Sequence, residues 1–116
     1  MITAQHLKKY MSAFVGTTLM AVSTPAAAAY PIIIVATNAK DVKWAVQGAS
    51  VYLRNLDSFD AEAPGCCYNV WIDLTNDGGR AMFAAFLARN AAGQRVMFYL
   101  ANDLTYPGKI AMVGDW

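Results

Sequence analysis

Cys66 and Cys67 are the only thiols in a chain of 116 residues, and His6 is its only imidazole. Adjacent thiols have three fates: a vicinal disulfide closed in a tight ring, a bond between two chains, or two free thiols. A two-cysteine metal site completed by Asp60 or Glu62 matches no familiar zinc spacing, so no metal is expected. Asp73 and Asp77 are close enough in sequence to suggest the paired carboxylates of glycoside hydrolysis. A strand acid followed by an acid in the run Thr75-Asn76-Asp77-Gly78-Gly79 reads more simply as a solvated side chain and a helix cap. That glycine pair lacks the spacing and lysine of a phosphate loop, and is read as a turn that uses glycine's backbone freedom. His6 stands in a segment expected to be removed, which leaves no histidine for a Ser-His-Asp or Cys-His site. No catalytic residue and no cofactor are therefore expected, and the chain is read as non-enzymatic.

The side chains with recognition chemistry are aromatic. Three apolar runs alternate: Val51 and Leu53 oppose Tyr52 and Arg54; Val70, Ile72 and Leu74 oppose Trp71 and Asp73; Val96, Phe98 and Leu100 oppose Met97 and Tyr99. With the aliphatic sets filling a core, Tyr52, Trp71, Met97 and Tyr99 face outward. Aromatic rings beside Arg54 stack on a sugar or meet another subunit, so Tyr52, Arg54, Trp71 and Tyr99 form the candidate ligand-binding set. The alternative is that the helix or the N-terminal strand covers them.

The elements that must position these residues follow from local signals. Pro31 to Thr37 is a β-branched run and reads as a strand, interrupted over Asn38–Asp41 and continued over Val42–Val46. Gln47 to Ser50 is a hairpin turn and Val51–Arg54 the next strand. Asn55–Gly65 is a loop and Tyr68–Leu74 a strand. Arg80–Ala92 carries Met82, Phe83, Phe86 and Leu87 at helical spacing and stops at Gly93. Gln94–Ala101 and Ile110–Val113 complete the set. Counting the interrupted first strand once, the order is β-β-β-α-β-β. This predicts a mainly β domain with one helix, a five-stranded OB-fold-like barrel, with an open α+β sheet as the other arrangement of the same elements.

The N-terminus predicts export. Lys8 and Lys9 precede an uncharged apolar stretch, Tyr10–Val22, then Ser23-Thr24-Pro25 and four alanines ending at Ala29. This is the order of a cleavable signal peptide over residues 1–29, the alternatives being an uncleaved anchor or a buried first helix. Cleavage leaves a single domain over 30–116 in the periplasm or outside the cell, with no membrane anchor. Losing two of the nine basic residues leaves seven against eight acids. Such a balance gives no electrostatic reason to expect nucleic acid. A domain this small is marginal alone, which favours self-association.

The stretch Val70–Leu100, VWIDLTNDGGRAMFAAFLARNAAGQRVMFYL, with the preceding turn Val46–Leu53, resembles a group of small exported bacterial proteins. That group is similar in turn to the receptor-binding B subunits of subtilase-cytotoxin-like AB5 toxins. The resemblance implies an OB-fold, a ring-forming surface and a sialylated-glycan ligand. It carries over no sugar-binding residue, and the loop Asn102–Gly108 lacks a cysteine usual in the group. Two functions are expected from these readings: a module that binds a glycan or protein and self-associates, or a small periplasmic accessory or inhibitor protein acting on an envelope protein.

Overall fold

A computed structural model describes residues 31–116, so the expected signal peptide lies outside the described residues. The chain runs β1 (Ile32–Ala36), β2 (Trp44–Gln47), β3 (Ser50–Leu53), β4 (Trp71–Asp73), α1 (Asp77–Ala92), β5 (Val96–Leu100) and β6 (Ile110–Gly114). Short 3-10 turns occupy Ala39–Asp41 and Leu56–Ser58. Among the described residues the protein is mainly β with one helix, as its alternating runs predict.

The expected five-stranded closed barrel does not form. Six strands make two three-stranded antiparallel sheets, ordered β1-β5-β6 and β2-β3-β4. The cause lies between Thr37 and Lys43. The Asn38 side chain accepts the Lys40 N–H at 2.9 Å and starts the first 3-10 turn. Ala39 is buried there, its N–H donating to the Gln94 carbonyl and its own carbonyl accepting from Asn90 Nδ2. The expected first strand thus becomes two, and its halves enter different sheets. The sheets meet at one parallel bridge between Trp71 and Lys109, where the Trp71 N–H donates to the Gly108 carbonyl at 3.0 Å. Only glycine fits at position 108, because a Cβ there would collide with the Asn69 carbonyl.

The inward residues are the ones alternation selects. Val51, Leu53, Val70, Ile72, Val96, Phe98 and Leu100 are all buried, joined by Ile32, Ile34, Ala36 and Ile110. Helix α1 packs against β4, β5, β6 and the first 3-10 turn, and its Phe86 is fully buried. The Phe86 ring lies 5.8 Å from Phe98 and 6.0 Å from Trp44, so one side chain ties the helix to both sheets. Burial of a ring this size stabilises the fold by roughly 3 kcal/mol.

The helix begins at Asp77, one turn earlier than its apolar stripe suggests. Asn76 is the N-cap, its side chain accepting the Gly79 N–H at 2.8 Å. Gly93 closes the other end in the left-handed conformation, φ 66°. Gly78 and Gly79 lie inside the helix, so a turn conformation is not what demands glycine there. Gly79 is buried, and a Cβ on it would overlap the Asp73 carbonyl at the end of β4.

Candidate functional site

The outer face of β2-β3-β4 gathers the groups with recognition chemistry. Tyr52 and Trp71 are direct cross-strand partners, with Ala45 opposite Tyr52 on the other side. Arg54 follows β3 on the same face, its N–H bonded to the Lys43 carbonyl at 2.8 Å. The sequence therefore brings three of its four candidate residues together. The fourth, Tyr99, sits on β5 between Ile33 and Met112, in the other sheet. Met97 lies on that same outer face but is buried rather than exposed. The Trp116 N–H approaches its sulfur at 3.4 Å, and the Arg95 guanidinium at 3.5 Å.

Loops enlarge the aromatic face beyond what strand alternation reveals. Tyr68 leaves the turn before β4 and meets Tyr52 edge to face at 4.9 Å, with Arg54 5.3 Å above the Tyr68 ring. Tyr106 leaves the β5–β6 loop and meets Trp71 edge to face at 6.4 Å, with Lys109 5.3 Å from the Tyr106 ring. Tyr68 and Tyr106 are each about half exposed, 56% and 51%. The result is a row of four rings, Tyr68, Tyr52, Trp71 and Tyr106, flanked by Arg54 at one end and Lys109 at the other. Edge-to-face contacts of this kind hold rings in place and contribute about 0.5–1.5 kcal/mol each.

Polar contacts fix both ends of the row. Asn69 Nδ2 donates to the carbonyls of Gly65 and Cys66 at 3.1 Å, closing the turn that presents Tyr68. Cys66 and Cys67 are joined to each other in that turn. At the other end, Asp103 accepts the N–H groups of Thr105 and Tyr106 at 2.9 and 3.2 Å, which shapes the loop under Tyr106. Asp73 accepts the Thr75 hydroxyl at 2.6 Å and the Thr75 N–H at 2.9 Å, and lies 3.6 Å from Lys109 Nζ. The Thr75 hydrogen bonds, with the Lys109 charge adding to them, hold the Asp73 carboxyl below the ordinary 3.8.

The arrangement suits binding by stacking and charge. Asp77, read from the sequence as a helix cap, instead lies in the first turn of α1, where Arg80 engages it at 2.5 Å and Asn76 takes the cap, so Asp73 and Asp77 serve separate partners. Among the described residues, no three His, Cys, Asp or Glu side chains are grouped to hold a metal ion, and no helix is long and apolar enough to cross a membrane. No family model matches the chain, and no curated protein or solved structure matches it.

Proposed function

We propose that the chain is an exported, non-enzymatic binding module that takes a glycan on the face of β3 and β4 and that self-associates. The observation that carries this reading is the row of four rings with a cation at each end. Aromatic faces stack on the apolar faces of sugar rings, while Arg54 and Lys109 supply donors to sugar oxygens or to a carboxylate. The strand order supports an OB-fold-like reading, opened at the corner between β1 and β2. From β2 it passes to β3, β4, across the parallel bridge to β6, then to β5 and β1. In that reading β3 and β4 stand where OB-folds bind oligosaccharides and oligonucleotides. The balance of seven bases against eight acids after residue 29 favours the sugar over the nucleic acid. The resemblance to AB5 B subunits makes a sialylated glycan the first class to test.

A glycan array followed by calorimetric titration tests the reading. Trp71→Ala and Tyr68→Ala are each expected to weaken binding tenfold or more while the protein keeps its melting temperature within a few degrees. Absence of any glycan ligand, or binding indifferent to both substitutions, overturns it. One observation favours a second reading, an accessory or inhibitor protein for an envelope protein. Leu104 projects from the β5–β6 loop, 91% exposed, two residues from Tyr106. Capture of one specific envelope protein that is lost with Leu104→Asp selects that reading.

A further inference from the structure

Cys66 and Cys67 are bonded to each other in the turn before β4, so the bond joins neighbouring residues. A disulfide that ties distant segments stabilises a fold by restricting the unfolded chain, and more so the longer the loop it closes. This one closes no such loop, and its effect is confined to the turn. Cys66 is exposed and Cys67 half-buried, so a thiolate from solution reaches the Cys66 sulfur without unfolding of the domain. The core anchors the turn on either side. Ala63 is buried, and so is Val70, whose carbonyl accepts the Leu53 N–H at 3.0 Å. Between these anchors, residues 64–69 make no backbone–backbone hydrogen bond among the described residues. Their fixtures are the disulfide and the Asn69 side chain, whose Nδ2 donates to the Gly65 and Cys66 carbonyls. The two fixtures are linked. The carbonyl carbon of Cys66 is a member of the ring that the disulfide closes, so the ring sets where the Cys66 oxygen points. Tyr68 stands between that ring and Asn69, and its side chain meets Tyr52 and Arg54.

We propose that Cys66 and Cys67 form a reversible redox switch that sets whether Tyr68 stands in the aromatic row. Its effect on a ligand rests on the binding reading above; its effect on Tyr68 does not. The reductant is a dithiol, on a small molecule or on a protein. One thiolate of the dithiol attacks the Cys66 sulfur, the Cys66–Cys67 bond breaks, and Cys67 leaves as a thiolate that takes up a proton. The second thiolate of the reductant then attacks the mixed disulfide and releases Cys66, which is protonated in turn. The protein gains two electrons and two protons, and the dithiol becomes a disulfide. With the ring open, the Cys66 carbonyl turns freely and its bond from Asn69 is lost. Tyr68 then leaves Tyr52, while Ala63 and Val70 stay in the core. Trp71 and Tyr106 are held by β4 and by the β5–β6 loop, so reduction removes one end of the row and leaves the other. This is a local packing change with a functional readout at the binding face.

The test uses the purified protein, its processed N-terminus read by intact mass, before and after dithiothreitol and after reoxidation with oxidised glutathione. Alkylation followed by mass counts the thiols, and proton NMR reads the cross-peak between the Tyr52 and Tyr68 rings, whose centroids lie 4.9 Å apart. Reduction under native conditions is expected to expose both cysteines and abolish the cross-peak, and reoxidation to restore it. The melting temperature is expected to stay within a few degrees, because no long loop is released. The double variant Cys66→Ser/Cys67→Ser is expected to behave as the reduced protein in every reductant condition. Thiols that appear only in denaturant, a bond that joins two chains instead, or a cross-peak that survives reduction or the double substitution overturns the switch. None of these readouts needs a glycan, so they stand apart from the search for one. A glycan found on the array is expected to bind about tenfold more weakly to the reduced protein. Equal affinity in both states overturns the coupling to the binding face and leaves glycan binding standing.

Discussion

Replacing Gly79 and Gly78 separately by alanine distinguishes a close approach from a turn preference. The two glycines are neighbours in the first turn of α1 and differ in surroundings. A Cβ at 78 meets only the Asn76 side-chain oxygen, at 3.4 Å, whereas a Cβ at 79 overlaps the backbone of Asp73. Relieving that overlap moves the start of α1 away from β4 by about 1.5 Å, a typical carbon–oxygen contact being near 3.2 Å. The shift stretches the Asn76 cap bond and loosens Phe86 against Phe98 and Trp44. Overpacking costs about 1–3 kcal/mol, and loss of a cap about 1 kcal/mol more. Gly79→Ala is therefore expected to lose about 3 kcal/mol. In a domain of this size that lowers the melting temperature by roughly 12–24 °C. Gly78→Ala gains helix propensity and is expected to leave stability unchanged or raise it by up to about 1 kcal/mol. Thermal unfolding followed by circular dichroism reads both. A Gly79→Ala protein that melts within 2–3 °C of wild type, or a Gly78→Ala protein that melts as low as it, refutes the packing argument.

Two further outcomes follow from the same region. Asn76→Ala removes the N-cap acceptor and is expected to cost about 1 kcal/mol by urea denaturation, with Asn76→Asp restoring most of it; no loss in the alanine variant would mean that water serves the Gly79 N–H equally well. Asp73 has its folded-state pKa depressed below 3.8, so its stabilising contribution is complete above that value and is lost as pH falls through the folded pKa. The stability gap between wild type and Asp73→Asn is accordingly expected to be constant from neutrality to about pH 5 and to shrink below pH 4; a gap that widens in acid would overturn the assignment.

Alternation along strands separated most of the core from the surface, Met97 being the exception, buried on the outer face beside Trp116 and Arg95. Val51, Leu53, Val70, Ile72, Val96, Phe98 and Leu100 are buried because a period of two leaves them no other face, and Tyr52 and Trp71 point outward for the same reason. Two features lay beyond that logic. The break after Ala36 depends on Ala39 docking against Gln94 and Asn90, more than fifty residues away in sequence, which no local pattern encodes. Tyr68, Tyr106 and Lys109 reach the aromatic face from a turn and a loop, where side-chain direction follows hydrogen bonds rather than a period. Their one local signal was a tyrosine next to a turn residue at each end, Asn69 and Pro107. Tyr99 was grouped with Tyr52 and Trp71 because alternation reports which face of a strand a residue occupies but not which sheet the strand joins.

The placement of β1 also governs the order in which the protein can be completed. Chains emerge from their N-terminus, so Ile32–Ala36 is among the first of the described segments to appear, while its strand partner among the described residues, Val96–Leu100, is among the last. For that interval an uncharged, β-branched pentapeptide is without its mate, and the β2-β3 hairpin is the earliest strand pair that can form from neighbouring residues. Vectorial synthesis therefore delivers this uncharged strand first and its lock last. The yield of folded protein depends on how fast the final twenty or so residues arrive, and a holdase that shields the N-terminal strand until then would raise it.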